Sequence, residues 1–317
     1  LITGGCGYTG TLLTNDLINL GHKITVVDIQ WFGNYLIPRK NLKIKKIDIR
    51  DHEKIPLQGV DIVVHLANIA NDPSVELNAR LSWEVNVLAT QKLIENSVKN
   101  KIKQFIFASS GSVYGVKEEK DVTEELPLVP ISTYNKTKMI SERVLKSYEN
   151  DIKFHCIRPA TVCGFSPRMR LVVSVNVFAF QALKFKLMSV FGGEQIRPNI
   201  HIQDLINVYK HFIINSDLPG GFYNAGFENL KIIEIAKKAK RKILIQINRA
   251  NHRSKLISKT HEYIKSINIS ATKTLIGHRQ IFIASMGEGK TVVEKQRKSK
   301  AVEEIRKISE QILLELK

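Results

Sequence analysis

Gly4-Gly5-Cys6-Gly7-Tyr8-Thr9-Gly10 follows the short β-branched run Leu1-Ile2-Thr3 and leads into an amphipathic segment, Thr9–Leu20. Glycines at 4, 7 and 10 between a strand and a helix have a physical use. One permits the tight turn, one lets backbone approach a pyrophosphate, and one lets helix pack closely on strand. The helix N-terminus then faces the anion. A glycine triplet alone usually marks an ordinary turn. Here Asp28 closes a second strand-like run, Lys23–Asp28, 18 residues after Gly10. A carboxylate there accepts hydrogen bonds from ribose hydroxyls and repels a 2′-phosphate, which favours NAD over NADP. Asp48-Ile49, after a third β-like stretch, is a candidate for the adenine edge.

Working outward, Val60–Leu66, Gln104–Ser109 and Lys153–Ile157 read as buried parallel strands. Trp83–Lys99 and Tyr134–Tyr148 read as the helices between them. Strand alternating with helix predicts an α/β fold: a Rossmann-type doubly wound parallel sheet with helices on both faces. The pattern loosens after about Thr161, as expected of a smaller C-terminal α/β substrate-binding lobe. The expected domains are 1–165 for the dinucleotide and 166–317 for the substrate, with some later segments returning to the first and 240–317 atypical.

Composition narrows the classes. The 317 residues are 43% hydrophobic, enough for a sizeable core and too apolar for disorder. Three cysteines, Cys6, Cys156 and Cys163, form no CxxC pair, which argues against a disulfide scaffold or zinc and fits a reducing compartment. The chain opens on Leu1 with no signal-like segment, and a few residues of a first strand are expected to precede it. The longest apolar region, Leu171–Phe191, is broken by Asn176, Gln181, Lys184 and Lys186. The expectation is a soluble, cytoplasmic protein with no membrane partner. Net charge is +18, of which +13 falls in residues 231–317 and +5 in 1–230. The basic excess therefore lies mostly outside the body that carries the motifs.

Tyr134 and Lys138 stand four apart at the head of a predicted helix, on one face and about 5–6 Å from each other. A phenol with an ordinary pKa of about 10 is a poor base near neutral pH, and a neighbouring ammonium stabilises the phenolate. Ser109-Ser110-Gly111-Ser112-Val113-Tyr114-Gly115 follows a strand at the end of the sheet where ligands bind, and Ser110 can hydrogen-bond the same substrate oxygen as Tyr134. Ser110, Tyr134 and Lys138 are the candidate catalytic residues.

Together these residues resemble the extended short-chain dehydrogenase/reductases, in particular the NAD-dependent nucleotide-sugar epimerase/dehydratase family of UDP-glucose 4-epimerase-like type. The resemblance covers about residues 1–230. It rests on GGCGYTG, Asp28, Asp48-Ile49, His65-Leu66-Ala67, Asn86, SSGSVYG, YNKTK, Arg158-Pro159 and Arg197-Pro198-Asn199-Ile200-His201-Ile202-Gln203-Asp204. It implies that NAD is held by Gly4, Gly7, Tyr8, Thr9, Gly10, Asp28, Asp48, Ile49, Leu66, Ala67, Asn86, Ser109, Tyr134 and Lys138. It also implies a nucleoside-diphosphate sugar contacted by Ser110, Ser112, Asn176, Arg197 and Arg253, with Arg168 and Arg170 weaker candidates. Homodimerisation through the Trp83–Lys99 and Tyr134–Tyr148 helices is a family expectation.

Departures from the family pattern bear on the reaction. The family's 4,6-dehydratases carry an acid–base Asp-Glu pair after the serine of the SS motif, where this chain has Gly111 and Ser112; the related decarboxylases keep a Glu that Ser112 replaces. The reaction expected is 4-epimerisation: Tyr134 takes the hydroxyl proton, hydride passes to NAD⁺, the 4-keto sugar turns, and hydride returns to its other face. The alternatives are an NAD(P)-dependent 4-ketosugar reductase or a dehydratase, and further off a non-catalytic dinucleotide- or RNA-binding relative. Nucleic acid is disfavoured because a sensor need not keep Ser110, Tyr134 and Lys138. Thr161 stands where many sugar epimerases have Asn, so the sugar stays open. Asn251-His252-Arg253-Ser254 partly echoes a phosphate-holding segment, Tyr223-Asn224-Ala225-Gly226 follows the family, and Ala301–Ile308 resembles its terminal helix. Ala284-Ser-Met-Gly-Glu-Gly-Lys290-Thr291 resembles a relaxed phosphate loop, but 26 residues after Thr291 leave no room for a nucleotide domain. The nine histidines show no metal spacing, and His65 in an apolar strand reads as core.

Overall fold

A computed structural model describes residues 1–119, 121–185, 188, 190, 193–215, 217–238, 244–245, 255–266, 270–277, 279–287, 291–296 and 298–316. Two compact units emerge, one comprising Leu1–Val173 with Pro198–Asn229 and the other Ser174–Arg197 with Leu230–Lys317. The chain leaves the first unit after Val173, and Pro198–Asn229 returns to it to add a strand and a helix.

The first unit is built on strands β1 (Ile2–Thr3), β2 (Ile24–Asp28), β3 (Leu42–Lys46), β4 (Ile62–His65), β5 (Gln104–Ala108), β6 (Lys153–Pro159) and, after β7 (Thr161–Cys163) and β8 (Ile196–His201), β9 (Gly221–Ala225). Seven of these form one sheet of order β3-β2-β1-β4-β5-β6-β9. Every pairing in it is parallel, with Ile2 opposite both Val26 and Val64, Phe105 opposite Val63 and Phe154, and Cys156 opposite Phe222. The order reverses at β1, which makes this a Rossmann-type doubly wound sheet and opens a crevice at the strands' C-terminal ends.

Period-two alternation divides the inner strands between two cores. Val27, Val63, Phe105, Phe107 and Cys156 face one side, with Leu93, Ile94 and Leu145 from the helices there. Val26, Val64, Ile106 and Ile157 face the other, with Leu13, Leu17, Leu205, Ile206 and Tyr209. Strands buried on both faces explain the continuous apolar runs of the sequence. Burying side chains such as Leu13, Leu93 and Leu145, each 0% exposed, stabilises the fold by about 1.5–3 kcal/mol apiece. At one edge, β3 reads Leu-Lys-Ile-Lys-Lys; its lysines discourage pairing with another chain.

Helix α1 (Tyr8–Asn19) follows β1. After β4 come α2 (Asp72–Leu77), α3 (Ala79–Trp83) and α4 (Ala89–Lys99), the last two joined by a π-helical turn, Glu84–Leu88. The expected helix Trp83–Lys99 therefore carries one wide turn that re-aims its face. Helix α5 (Thr133–Lys146) is started by Ser132, whose side chain accepts from the Asn135 amide. The return segment supplies α7 (Ile202–Ile214), after α6 (Ser174–Lys184) of the second unit. Strand β7 pairs with β8 in a small sheet of order β10-β8-β7, where β10 is Glu228–Lys231.

The second unit has its own apolar cluster, with Phe178, Ala182, Met188 and Val190 against Ile232, Ile233, Ile235 and Ala236 of α8 (Ile232–Lys238). Its later elements are β11 (Leu244–Ile245), α9 (Lys255–Ser266), β12 (Ser270–Ala271), α10 (Gln280–Gly287), α11 (Val292–Lys295) and α12 (Lys300–Leu316). Strands β11 and β12 pair in parallel, and Arg279 pairs with Glu304 at 2.6 Å. The phosphate-loop look-alike is helical through Gly287, and Thr291 caps α11 with Glu294 in a reciprocal capping box. Among the described residues no helix is long and apolar enough to cross a membrane, and no cluster of His, Cys, Asp or Glu could hold a metal ion.

Candidate active site

A cleft of about 760 Å³ lies within the first unit at the C-terminal ends of β1, β2, β4 and β5. Its floor is the glycine turn. Gly4 has φ +71°, and a Cβ on it would sit 2.6 Å from the Ala67 nitrogen; a Cβ on Gly10 would meet the Gly4 carbonyl oxygen at 2.2 Å. Those two absences let α1 press against the strand ends. The helix starts at Gly7 with no side-chain cap and no acidic residue in its first turn. Its positive end is therefore uncompensated at the cleft, as anion binding requires.

Asp28 ends β2 at the rim. Its carboxylate accepts from the Cys6 amide at 3.0 Å and the Gln30 amide at 2.6 Å, which fixes it beside the glycine turn. Asp48, Ile49, Leu66 and Ala67 line the same cleft. Asp48 is paired with Arg50 at 2.7 Å, and that hydrogen-bonded guanidinium holds its carboxyl below the usual range. Asn68 also lines the cleft, and its buried Oδ1 has no hydrogen-bond partner among the described residues. Glycine cradle, bare helix N-terminus, rim carboxylate and an orphaned acceptor fit a dinucleotide.

Tyr134 and Lys138 reach the cleft from the first turns of α5, with Ser109 beside them at the end of β5. Lys138 is buried; its Nζ donates to the Ala108 carbonyl at 2.7 Å and lies 4.9 Å from the centre of the Phe107 ring. Burial pulls it down to about 7, against the opposing pull of Cys156 and Glu142. Burial pushes the Tyr134 phenol up, and the charge that most opposes this is Arg170, followed by a hydrogen bond with Ser110. The Lys138 ammonium, which the YxxxK spacing puts on the same helix face as the phenol, gives one of its three donors to the Ala108 carbonyl. Ser110 and Ser112 share a 2.8 Å hydroxyl contact, and Ser112 donates to Asn135 Oδ1 at 2.6 Å.

Behind these groups runs a buried polar network. Ser109 donates to Glu142, Arg158 grips Glu142, and Arg158 donates to the Tyr114 hydroxyl at 2.7 Å. Tyr114 in turn donates to Asn224 Oδ1 at 2.9 Å, which ties the loop after β5 to β9.

Other predicted residues fall elsewhere. Asn86 does not line the cleft: it bonds the Ile69 amide and carbonyl at 2.8 and 3.0 Å and Thr137 at 3.2 Å, so its amide is spent holding the loop after β4. Tyr8 lines the cleft, while its hydroxyl donates to the Gly164 carbonyl. Thr9 and Gly7 sit at its floor. Asn176 is buried on α6 and Arg197 exposed on β8, where it donates to Gln195; both belong to the second unit. Arg253 lies outside the described residues. Arg168 and Arg170 both line the cleft, as do Trp31, Phe32 and Tyr35, which belong to none of the sequence motifs. His65 is core, held between the Thr3 and Thr90 hydroxyls at 2.6 and 2.8 Å, with burial pulling it down to about 3.

Residues 1–226 match the NAD dependent epimerase/dehydratase family. The UDP-glucose 4-epimerase of Lactobacillus helveticus is 26% identical over 268 residues, 75% of this chain and 80% of that protein. UDP-glucuronic acid decarboxylase 1 of Xenopus tropicalis is 30% identical over 218 residues, 65% of this chain and 51% of that protein. Among solved structures, the Thermotoga maritima UDP-glucose 4-epimerase with UDP-glucose aligns at a TM-score of 0.69 and 25% identity, covering 75% of this chain and 80% of the other.

Proposed function

This chain belongs to the NAD dependent epimerase/dehydratase family, and from that premise we propose that it epimerises a nucleoside-diphosphate sugar through a transient 4-keto intermediate. The observation that carries the reading is the composition of the catalytic corner. Tyr134 and Lys138 line the cleft and Ser110 hydrogen-bonds Tyr134, while the two positions after Ser110 are Gly111 and Ser112, with no carboxylic acid for eliminating water or assisting loss of a carboxylate. Ser112 is hydrogen-bonded to Asn135 and cannot serve as an acid in that step.

In this reading Tyr134 Oη removes the proton from the sugar hydroxyl, and Ser110 Oγ holds the same oxygen. Bound NAD supplies the hydride acceptor and then the hydride donor. Tyr134 retains the proton near the reacting oxygen and returns it when the carbonyl is reduced. Lys138, anchored on Ala108, keeps the first turn of α5 against the strand end. Positioning and general-base contributions of this kind each supply several powers of ten.

The test is NMR of UDP-, dTDP-, GDP- and CDP-sugars incubated with the purified protein, with absorbance at the NADH band followed in parallel. An epimeric product without net NADH supports the proposal. Steady NADH formation, a requirement for added reductant, or a dehydrated or decarboxylated product would overturn it.

A further inference from the structure

Arg168 stands in the segment after β7, and its guanidinium carbon lies 4.0 Å from the centre of the Phe32 ring, in the loop after β2. Both side chains line the dinucleotide cleft, and both belong to the first unit. Phe32 is 64% exposed, so its ring stays open at the cleft even with Arg168 against it. Arg168 is half-buried, and partial desolvation works against its charge. Its hydrogen bonding is thin: among the described residues it has a single long contact, 3.5 Å, to the Met169 carbonyl. A guanidinium carries five donors and remains charged in proteins, so most of this group's capacity is unused. Phe32 stands in the loop after β2, four residues past the rim carboxylate Asp28, so the contact sets Arg168 on the β2 side of the cleft; Asp28 favours its charge and the neighbouring Arg170 opposes it.

We propose that Arg168, stacked on Phe32, is a cofactor-holding residue: the pair clasps two loops over the dinucleotide cleft, and the spare guanidinium donors take the cofactor's diphosphate. A flat cation on an aromatic face is held by the ring's quadrupole and needs no ion pair, so its donors stay available for an anion. The clasp joins the loop after β2 to the segment after β7, so dinucleotide release must part it. The diphosphate could belong to either the cofactor or a nucleotide sugar. Stacking on Phe32, in the loop that follows Asp28, with both residues lining the cleft of the glycine turn, assigns it to the cofactor. The inference rests on dinucleotide binding and is independent of the epimerase reading, since cofactor retention is read without turnover.

The experiment compares the parent with Arg168→Met, Arg168→Lys, Phe32→Ala, Phe32→Trp and the double variant Arg168→Met/Phe32→Ala. Circular dichroism establishes that each is folded. NAD retained after gel filtration and the NAD dissociation rate by displacement are measured, and UDP binding by calorimetry. Arg168→Met and Phe32→Ala should each speed NAD loss by about three- to thirtyfold. The double variant should be little worse than either single, because the two act as one unit. Phe32→Trp should stay near the parent, and Arg168→Lys should fall between. NAD dissociation unchanged in both single variants overturns the proposal. So does weakened UDP binding with NAD retention intact, which would give the cation to the substrate diphosphate. Fully additive effects would refute the clasp.

Discussion

Arg158 holds Glu142 with two charge-assisted bonds, Nε to Oε1 at 3.0 Å and Nη2 to Oε2 at 2.7 Å, where the two side chains are 4% and 2% exposed. Glu142 also accepts from Ser109, the residue before Ser110, so the pair is the footing of the proposed catalytic corner. Glu142→Gln should destabilise the protein by about 3–5 kcal/mol, because it leaves a buried guanidinium without its counter-charge. Replacing both partners, Glu142→Leu with Arg158→Met, should recover much of that loss. Urea unfolding of the three variants checks it; a double variant as unstable as the single would show that the ion pair itself, and not the orphaned charge, sets the cost.

Tyr134 needs electrostatic help to act as a base, since burial raises its phenol and Arg170 is the charge that most lowers it. The other groups acting on Tyr134 are Ser110 and, in the unfavourable sense, Asp72. Removing a permanent cation makes the phenolate harder to form. Arg170→Met should therefore move the rising limb of the kcat/KM profile to higher pH, and Arg170→Lys should restore much of its position. A higher KM with an unmoved pH profile would mean that Arg170 only grips substrate. Tyr134→Phe should reduce kcat by about 10²–10⁴ with NAD still bound.

The sheet was legible in the sequence because parallel strands buried on both faces are short, β-branched and continuous, and because Gly4, Gly10 and Asp28 have few other uses in that order. Ser110, Tyr134 and Lys138 stand out in the sequence for a similar reason: each follows a strand end or heads a helix, and there the fold places them. Other features depend on tertiary placement. Whether Lys138 faces the phenol or the Ala108 carbonyl depends on how deeply α5 sinks against β5. That Asn86 spends its amide on Ile69 and Thr137 depends on the π turn, which periodicity alone does not reveal. Arg168 and Phe32 are 136 positions apart and meet only across the cleft. Asn68 follows the run at the end of β4, a position that could have marked it as cleft-facing.

Lys138 should leave a mark on stability as well as on catalysis. Its folded pKa is lowered to about 7, against an unfolded value of about 10.4. Below pH 7 both states are protonated, and the native state bears the full cost of burying the charge. Between about pH 7 and 10.4 the unfolded chain binds more protons than the native protein, so this group's contribution to stability rises with pH. The parent should gain roughly 2–3 kcal/mol relative to Lys138→Met between pH 7 and 9, as each pKa unit corresponds to about 1.4 kcal/mol. Urea midpoints of both proteins across that range give the difference directly, since other titrating groups largely cancel. Parallel curves would mean that the buried amine is not titrating there.

The glycine turn separates two effects that a single substitution would confound. A Cβ on Gly10 would fall 2.2 Å from the Gly4 carbonyl oxygen and 2.7 Å from the Gly5 Cα, so α1 must withdraw from the strand ends. Gly10→Ala should lower the melting temperature and lose NAD together. At Gly7 the backbone is extended, with φ −77° and ψ −175°, and an added Cβ meets only the Gly4 oxygen at 3.1 Å. An L-residue is tolerated there conformationally, and a small backbone adjustment relieves the contact. Gly7→Ala should therefore melt close to the parent while binding NAD more weakly, because the methyl group stands at the helix N-terminus where the pyrophosphate approaches. Thermal melts with and without added NAD distinguish the cases: the NAD-induced rise in melting temperature should shrink in both, and the ligand-free melting temperature should fall only in Gly10→Ala. A normal NAD-induced rise in Gly7→Ala would place the pyrophosphate away from that turn.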